Sequence, residues 1–400
     1  MPRAIKNTLD SKVGVRIIRG LHNIFNWRKG NKRSEIDKYV AFLDIGTEAT
    51  QLEVFQRALE AGRQYDAAVR IVGLTMNMDY MDSEPSSNQI SYETQLEEVK
   101  DIKRYYPSTF FPFLGIDPRH KSGDQLVEWA KSYFEKGVKD KSTGRVYPFF
   151  SGIKLYPALG FFPFDIRLEP LYHYAEENNL PIVSHCTRVG SQYIGSQIQN
   201  LIPRNPDMLS AKDHAEVTTV QESITNRINK YYEKGWVANS KIGNNDLACD
   251  LFGHPENYIP ILKKFPKLKI CLAHMGGSEE IANSTMGDLS KIREVDPKNW
   301  FEHIKEMMIS YPSLYTDVSY TISDFHSKDS IVFKNVEQFL TTQDRSGEPL
   351  ATRVLFGTDF FMTEQERHEV DLYAIGKENL SMWWDKIARD NTQQFLMQPL

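Results

Sequence analysis

Apolar residues along this chain alternate between two periods. Short runs rich in β-branched and aromatic residues, bounded by Gly, Pro, Asn or Asp, predict strands near 69–76, 109–116, 150–156, 181–186, 268–274, 313–318 and 353–359. Between them, apolar residues at three- and four-residue spacing predict helices near 91–104, 123–136, 168–178, 256–265, 297–310, 330–341 and 364–376. An earlier helix is expected from Thr50, a capping residue, to a stop at Gly62. Such alternation predicts an α/β fold with a parallel sheet covered by helices, a (β/α)8 barrel in which seven strands are legible and the first is missing.

Four of the predicted strands end in a group that can bind a metal or move a proton: Lys154, His185, His274 and Asp359. Parallel strands with apolar bodies aim such groups into one shared mouth, where barrel enzymes do chemistry. A neutral imidazole at such a position suits zinc, and two matching strand-end histidines weaken the alternative of a buried histidine bonded to backbone. Asp359 can hold a metal and take a proton from its bound water; it lies about four residues too early to cap the following helix. Lys154 can bind an anionic substrate, bridge two metals once carbamylated, or pair with a neighbouring carboxylate. Cys186 and Cys271 are expected to face the helices as small core residues.

The segments after the strand ends are the longest in the chain. Residues 156–167 carry Tyr156, Phe161, Phe162 and Phe164, and 187–253 form an insertion after the strand ending at His185, the fifth in an eight-strand count. Loops on that face shape the pocket, so the insertion is expected to act as a cap. Tyr156, Phe161, Phe162 and His254 are expected, with Lys154, to bind substrate. Two units follow: a basic helical segment over 1–47 and a barrel over 48–400 that includes the insertion.

Composition narrows the function classes. A net charge of −5 over 400 residues argues against general nucleic-acid affinity. Residues 1–38 hold ten Lys or Arg against three acidic residues, and Ile17, Ile18, Leu21, Ile24 and Phe25 recur at helical spacing. That basic amphipathic helix is read as packing on the barrel, with a membrane-surface or transit role as the alternative. Three cysteines in no metal-binding spacing and no long apolar run make a cytoplasmic protein the default expectation. A homo-oligomer is left open.

Taken in order, the segments Gly152–Pro157, Pro181–Thr187, His254–Tyr258, Ala273–Gly277, Tyr311–Asp317 and Phe356–Asp359 resemble the amidohydrolase superfamily. Within it they are similar to the amidohydrolase-related branch that includes aminocarboxymuconate semialdehyde and resorcylate-type decarboxylases. The resemblance spans about residues 40 to 376. It implies a barrel with one divalent metal ion, usually zinc, held by His185 and Asp359. It further implies that His274 orients or deprotonates the attacking water, or polarises a small-molecule substrate. The branch opens on a strand ending in His-x-His, and this sequence contains no His-x-His.

The resulting expectation is a metal-dependent hydrolase acting on an amide, lactone or similar carbonyl, with Asp359 taking the water's proton. Non-oxidative decarboxylation on the same scaffold, or a metal-depleted inactive binding protein, are the alternatives. Because zinc sites use about four ligands and His185 with Asp359 supply two, the 400-residue chain is expected to bind metal weakly and to turn over little. Metal analysis of the purified chain tests this: one tightly held zinc per chain, with turnover, would overturn it.

Overall fold

The computed structural model describes residue 45 and residues 50–82, 91–195, 198–209, 214–237, 245–284, 295–325 and 329–396. The basic amphipathic helix expected within 1–38 lies outside them.

All seven expected strands are present: β1 (Ile71–Leu74), β2 (Phe110–Ile116), β5 (Gly152–Leu155), β6 (Ile182–Ser184), β7 (Ile270–Leu272), β8 (Leu314–Asp317) and β9 (Val354–Leu355). They form one parallel sheet in the order β1-β2-β5-β6-β7-β8-β9. Patterning did not reveal a short antiparallel hairpin, β3 (Gly137–Lys139) with β4 (Val146–Pro148), between the second and third strands of that sheet. Among the described residues β1 and β9 each have a single neighbour.

Helices cover the outer face: α1 (Gln51–Tyr65), α2 (Tyr92–Tyr105), α3 (Gly123–Phe134), α4 (Glu169–Glu177), α7 (Ile259–Lys264), α9 (Trp300–Ser310), α10 (Ile331–Thr341) and α11 (Glu369–Asn379). Helix α1 opens on a reciprocal capping box, Thr50 with Glu53, and runs past Gly62, the expected stop, to Tyr65. The insertion contributes α5 (His214–Glu233) and α6 (Asn245–Phe252); α8 (Ser278–Ala282) follows β7, and α12 (Asn391–Leu396) ends the described chain. Helices α1 and α11 meet across the β1 and β9 edges, where Tyr65 stacks on Tyr373 with ring centroids 5.4 Å apart.

Alternation decides what fills the interior. Phe111, Phe113, Val183, Cys271, Ala273, Tyr315 and Leu355 form a continuous apolar floor inside the sheet, closed at the amino ends of the strands by Phe395 and Leu396 of α12. The floor is crowded: a Cβ on Gly152 would lie 2.5 Å from the Phe113 ring, so β5 begins with a residue that has none. Ile270 and Leu272 instead join the core under the helices.

Cys271 is therefore a correction. It points into the interior, with Sγ 3.5 Å from Asp317 Oδ2, and not toward the helices as expected. A left-handed turn is the reason: His274 has φ 69°, which breaks the two-residue period after Ala273. Cys186 does lie in the helix-side core.

Among the described residues, Trp300, at the start of α9, is the largest fully buried side chain. Its Nε1 donates to Asp296 Oδ2 at 3.2 Å, its backbone N–H donates to Glu280 Oε2 at 2.7 Å, and the Arg188 guanidinium lies 4.4 Å from the ring centroid. Trp300→Ala removes the packing and the stacked cation together, and is expected to cost about 3–5 kcal/mol. Denaturant unfolding measures this, and a loss below about 1 kcal/mol would refute the packing role assigned to Trp300.

Candidate functional site

Above the apolar floor lies a layer of polar groups at the carboxyl ends of the strands. Lys154 comes from β5, His185 follows β6, His274 sits in the turn after β7, Asp317 ends β8, and Asp359 follows β9 with φ 62°. The two histidines touch: His274 Nε2 is 3.2 Å from His185 Nδ1, with the rings 68° apart. Both are nearly enclosed, at 7% and 6% exposure. Burial holds the His185 imidazolium well below its ordinary range, and the neighbouring His274 and Lys154 push it the same way.

Each ring is also held from behind. His185 Nε2 lies 2.8 Å from the Val189 carbonyl, and the Tyr156 ring stacks on His185 at 4.3 Å and 11°. His274 Nδ1 lies 2.9 Å from Ser319 Oγ and 3.0 Å from Ser319 O. Asp317 Oδ1 accepts from the backbone N–H groups of His274 at 2.9 Å and Ser319 at 3.0 Å, as well as from Ser319 Oγ. This carboxylate thus fixes the left-handed turn that returns His274 to the interior.

Lys154 is buried beside the pair. Burial lowers its ammonium pKa, while the charges of Asp359 and Asp317 oppose that shift. Its Nζ lies 5.5 Å from the Tyr156 ring centroid. Burial raises the Tyr156 hydroxyl, which accepts from Ser191 N–H at 2.9 Å. One side of Tyr156 is lined by Ala158, Leu159 and Cys249, with Met76, Met78 and Met81 packed against them.

Other expected site residues lie elsewhere. Phe161 and Phe162 belong to the main core, with Phe162 against Phe164 and Phe252 at 4.8 Å each, which corrects the reading of both as pocket wall. Helix α6 of the insertion covers this aromatic loop, so its apolar residues bury against protein. His254 is 2% exposed; its Nδ1 accepts from Glu256 N–H, and its Nε2 lies 3.1 Å from Asp296 Oδ2. Burial lowers its pKa to about 4, with Arg227 adding to the fall and Asp296 opposing it. It is a helix cap within an ionic network, not a residue facing the histidine pair.

Asp317 and Ser319 were not foreseen as site residues. Asp317 does end a strand of the same pattern, Leu314-Tyr315-Thr316-Asp317, and that was its available signal. Ser319 had none.

A curled parallel sheet with ionisable groups gathered at its carboxyl ends defines an α/β protein of the barrel type. The sequence signature of the Amidohydrolase family matches residues 106–396, and the chain belongs to that family. Curated protein sequences give no match. Solved structures similar to this chain include an uncharacterized TIM-barrel protein from Bordetella bronchiseptica, with 15% identity, TM-score 0.44, and coverage of 90% of this chain and 89% of that one. A probable 2-pyrone-4,6-dicarboxylic acid hydrolase from Acinetobacter baumannii has 11% identity and TM-score 0.43, covering 88% and 90%. A 5-carboxyvanillate decarboxylase from Sphingomonas paucimobilis has 12% identity and TM-score 0.37, covering 76% and 71%.

Members of the family act on small molecules and generally hold a divalent metal ion. Among the described residues no three of His, Cys, Asp and Glu come together as a set able to hold one. Both nitrogens of His185 already face protein atoms, and so do both of His274. These donors do not by themselves fit a metal site. Nor, among the described residues, is any helix long and apolar enough to cross a membrane.

Behind Asp359, Thr358 Oγ1 donates to Glu369 Oε1 at 2.6 Å. Burial raises the Glu369 pKa from 4.5 to about 7, against the Thr358 bond and with Glu364 adding to the rise. The folded chain therefore keeps a proton between those values that the unfolded chain has lost, so this group reduces stability as pH rises from 4.5 to about 7. Glu369→Gln should remove that loss and gain stability relative to the parent in mildly alkaline buffer, with less gain in mild acid. Urea unfolding in the two buffers checks the sign. Identical pH dependence in parent and variant would contradict it.

Proposed function

We propose that the chain hydrolyses a carbonyl bond of a small molecule, an amide, lactone or similar group, at the layer formed by Lys154, His185, His274, Asp317 and Asp359. The observation that carries this reading is the contact of two strand-end imidazoles at 3.2 Å, with a buried lysine nearby whose charge is opposed by Asp359 and Asp317. Ionisable groups gathered at one end of a barrel-type sheet, Lys154 and His185 among them shifted by burial, are what acid–base chemistry uses.

In this proposal Asp359 is the general base. It takes a proton from water as the water oxygen bonds to the carbonyl carbon, and the resulting oxyanion faces the Lys154 ammonium. Collapse of the tetrahedral species breaks the bond to nitrogen or oxygen, and protonated Asp359 returns its proton to the leaving group. His274, held by Asp317 and Ser319, orients the water or the substrate carbonyl. Lys154 supplies charge where charge develops and excludes water through its burial, conditions under which such an interaction is strongest.

Turnover of a panel of lactones and amides in heavy-oxygen water tests the proposal. The expected result is one heavy oxygen in the acid product. Asp359→Asn and Lys154→Met, each shown to be folded by circular dichroism, should lower kcat/KM by about 10²–10⁴-fold. Release of carbon dioxide from an aromatic or unsaturated acid, with no heavy oxygen in the organic product, would replace hydrolysis by decarboxylation.

A further inference from the structure

We propose that the groove between α3 and α4 is the docking site of this chain's own basic segment, residues 12–29. The apolar stripe of that segment lies in the groove, and its Arg and Lys side chains meet acidic residues on both sides.

The groove has a volume of about 720 Å³ and is lined by one stripe from each helix. Asp124, Val127, Glu128 and Lys131 recur at helical spacing along α3, and Ile166, Pro170, Tyr174 and Glu177 do so along α4 and the turn before it. Val127, Ile166, Pro170 and Tyr174 supply its apolar part, and Ile166 is left 44% exposed. Two packed helices with an open apolar stripe between them offer the surface on which a third helix packs.

Acidic residues stand on both sides, Asp124 and Glu128 on α3 and Glu169 and Glu177 on α4. Two of them already have a cation: Glu128 pairs with Lys131 at 2.8 Å, and Glu169 pairs with Lys264. Asp124 and Glu177 form no ion pair among the described residues.

The occupant carries the opposite charge. Residues 12–29 hold Lys12, Arg16, Arg19, Arg28 and Lys29 and no acidic residue. At about 100° per residue, Arg16 and Lys29 fall on opposite sides of the stripe of Ile17, Ile18, Leu21, Ile24 and Phe25. Gly14 and Gly20 make such a segment marginal as an isolated helix, so its apolar stripe needs another surface to bury against. Residues 30–44 connect it to Ile45, and an extended linker of that length reaches about 50 Å, about the full width of a domain this size. The groove is thus within reach.

Zero-length carbodiimide coupling of the full chain, mapped by mass spectrometry, tests this, because it joins an amine to a carboxylate only where the two touch. Lys12 or Lys29 is expected to couple to carboxylates of the groove. In a mixture of nitrogen-15-labelled and unlabelled chains, both halves of each coupled peptide should carry the same label. Asp124→Lys with Glu177→Lys, both at exposed positions, should lower coupling to Glu128 and Glu169 about tenfold, and adding Arg16→Glu with Arg19→Glu should restore it. No coupling between segment and groove, or a yield unchanged by the charge reversal, overturns the proposal. Mixed labels would make the occupant a second copy, and loss of the coupling on adding phosphatidylserine vesicles would assign the segment to a membrane surface; either result overturns it as well.

Discussion

A parallel strand buried on both faces has no room for a charge along its body, and the arrangement of this molecule follows from that constraint. Water is excluded from the helix side by the main core and from the interior by the Phe111, Phe113 and Tyr315 floor. Ionisable groups are tolerated where the floor ends, because there they can find one another. Lys154 is the exception within a strand, and it sits at the level where Asp317 and Asp359 can answer its charge. His185 and His274 stand at the same level and answer each other. The polar layer is therefore a boundary condition of the sheet before it is a site.

The same constraint explains what could be read from the sequence. Strand bodies that are largely apolar and carry a polar residue near their carboxyl ends announced both the sheet and the level at which ionisable groups gather, so the grouping of Lys154, His185 and His274 with Asp359 was legible. Asp317 has the same signature and differs only in that a carboxylate after Leu314-Tyr315-Thr316 also reads as an ordinary strand stop. The phase of β7 was not legible. Nothing in Cys271-Leu272-Ala273-His274 encodes the positive φ that lets Ala273 and His274 both turn inward, because that turn is held by a carboxylate from another strand. Arg188 was invisible for a similar reason: the carboxylates it donates to, Asp250, Glu280 and Asp296, are 62, 92 and 108 residues away.

The aromatic loop after β5 shows how composition misleads about location. Phe161, Phe162 and Phe164 look like a pocket lining only if nothing covers them. Helix α6 returns over the loop from far along the chain, and Phe252 closes on Phe162 from the opposite side. Burial of a second apolar layer is thus what attaches the insertion to the sheet, and the Arg188 network provides its polar fastening beside that layer. What remains at the mouth is smaller and softer, with Tyr156 backed by the thioethers of Met76, Met78 and Met81. Thioethers adapt their shape at little cost, so this wall can repack with little strain.

The three thiols occupy three different layers. Cys186 lies under the helices, Cys271 inside the sheet, and Cys249 between the insertion and the loop after β5. All are fully enclosed and unbridged. Burial raises the Cys186 and Cys271 thiols, so neither is a ready nucleophile in the native state. The chain consequently carries its own clock for disassembly. An alkylating pulse marks each thiol only when its layer opens, and the order of marking reports whether the cap lifts before the sheet parts or the two fail together.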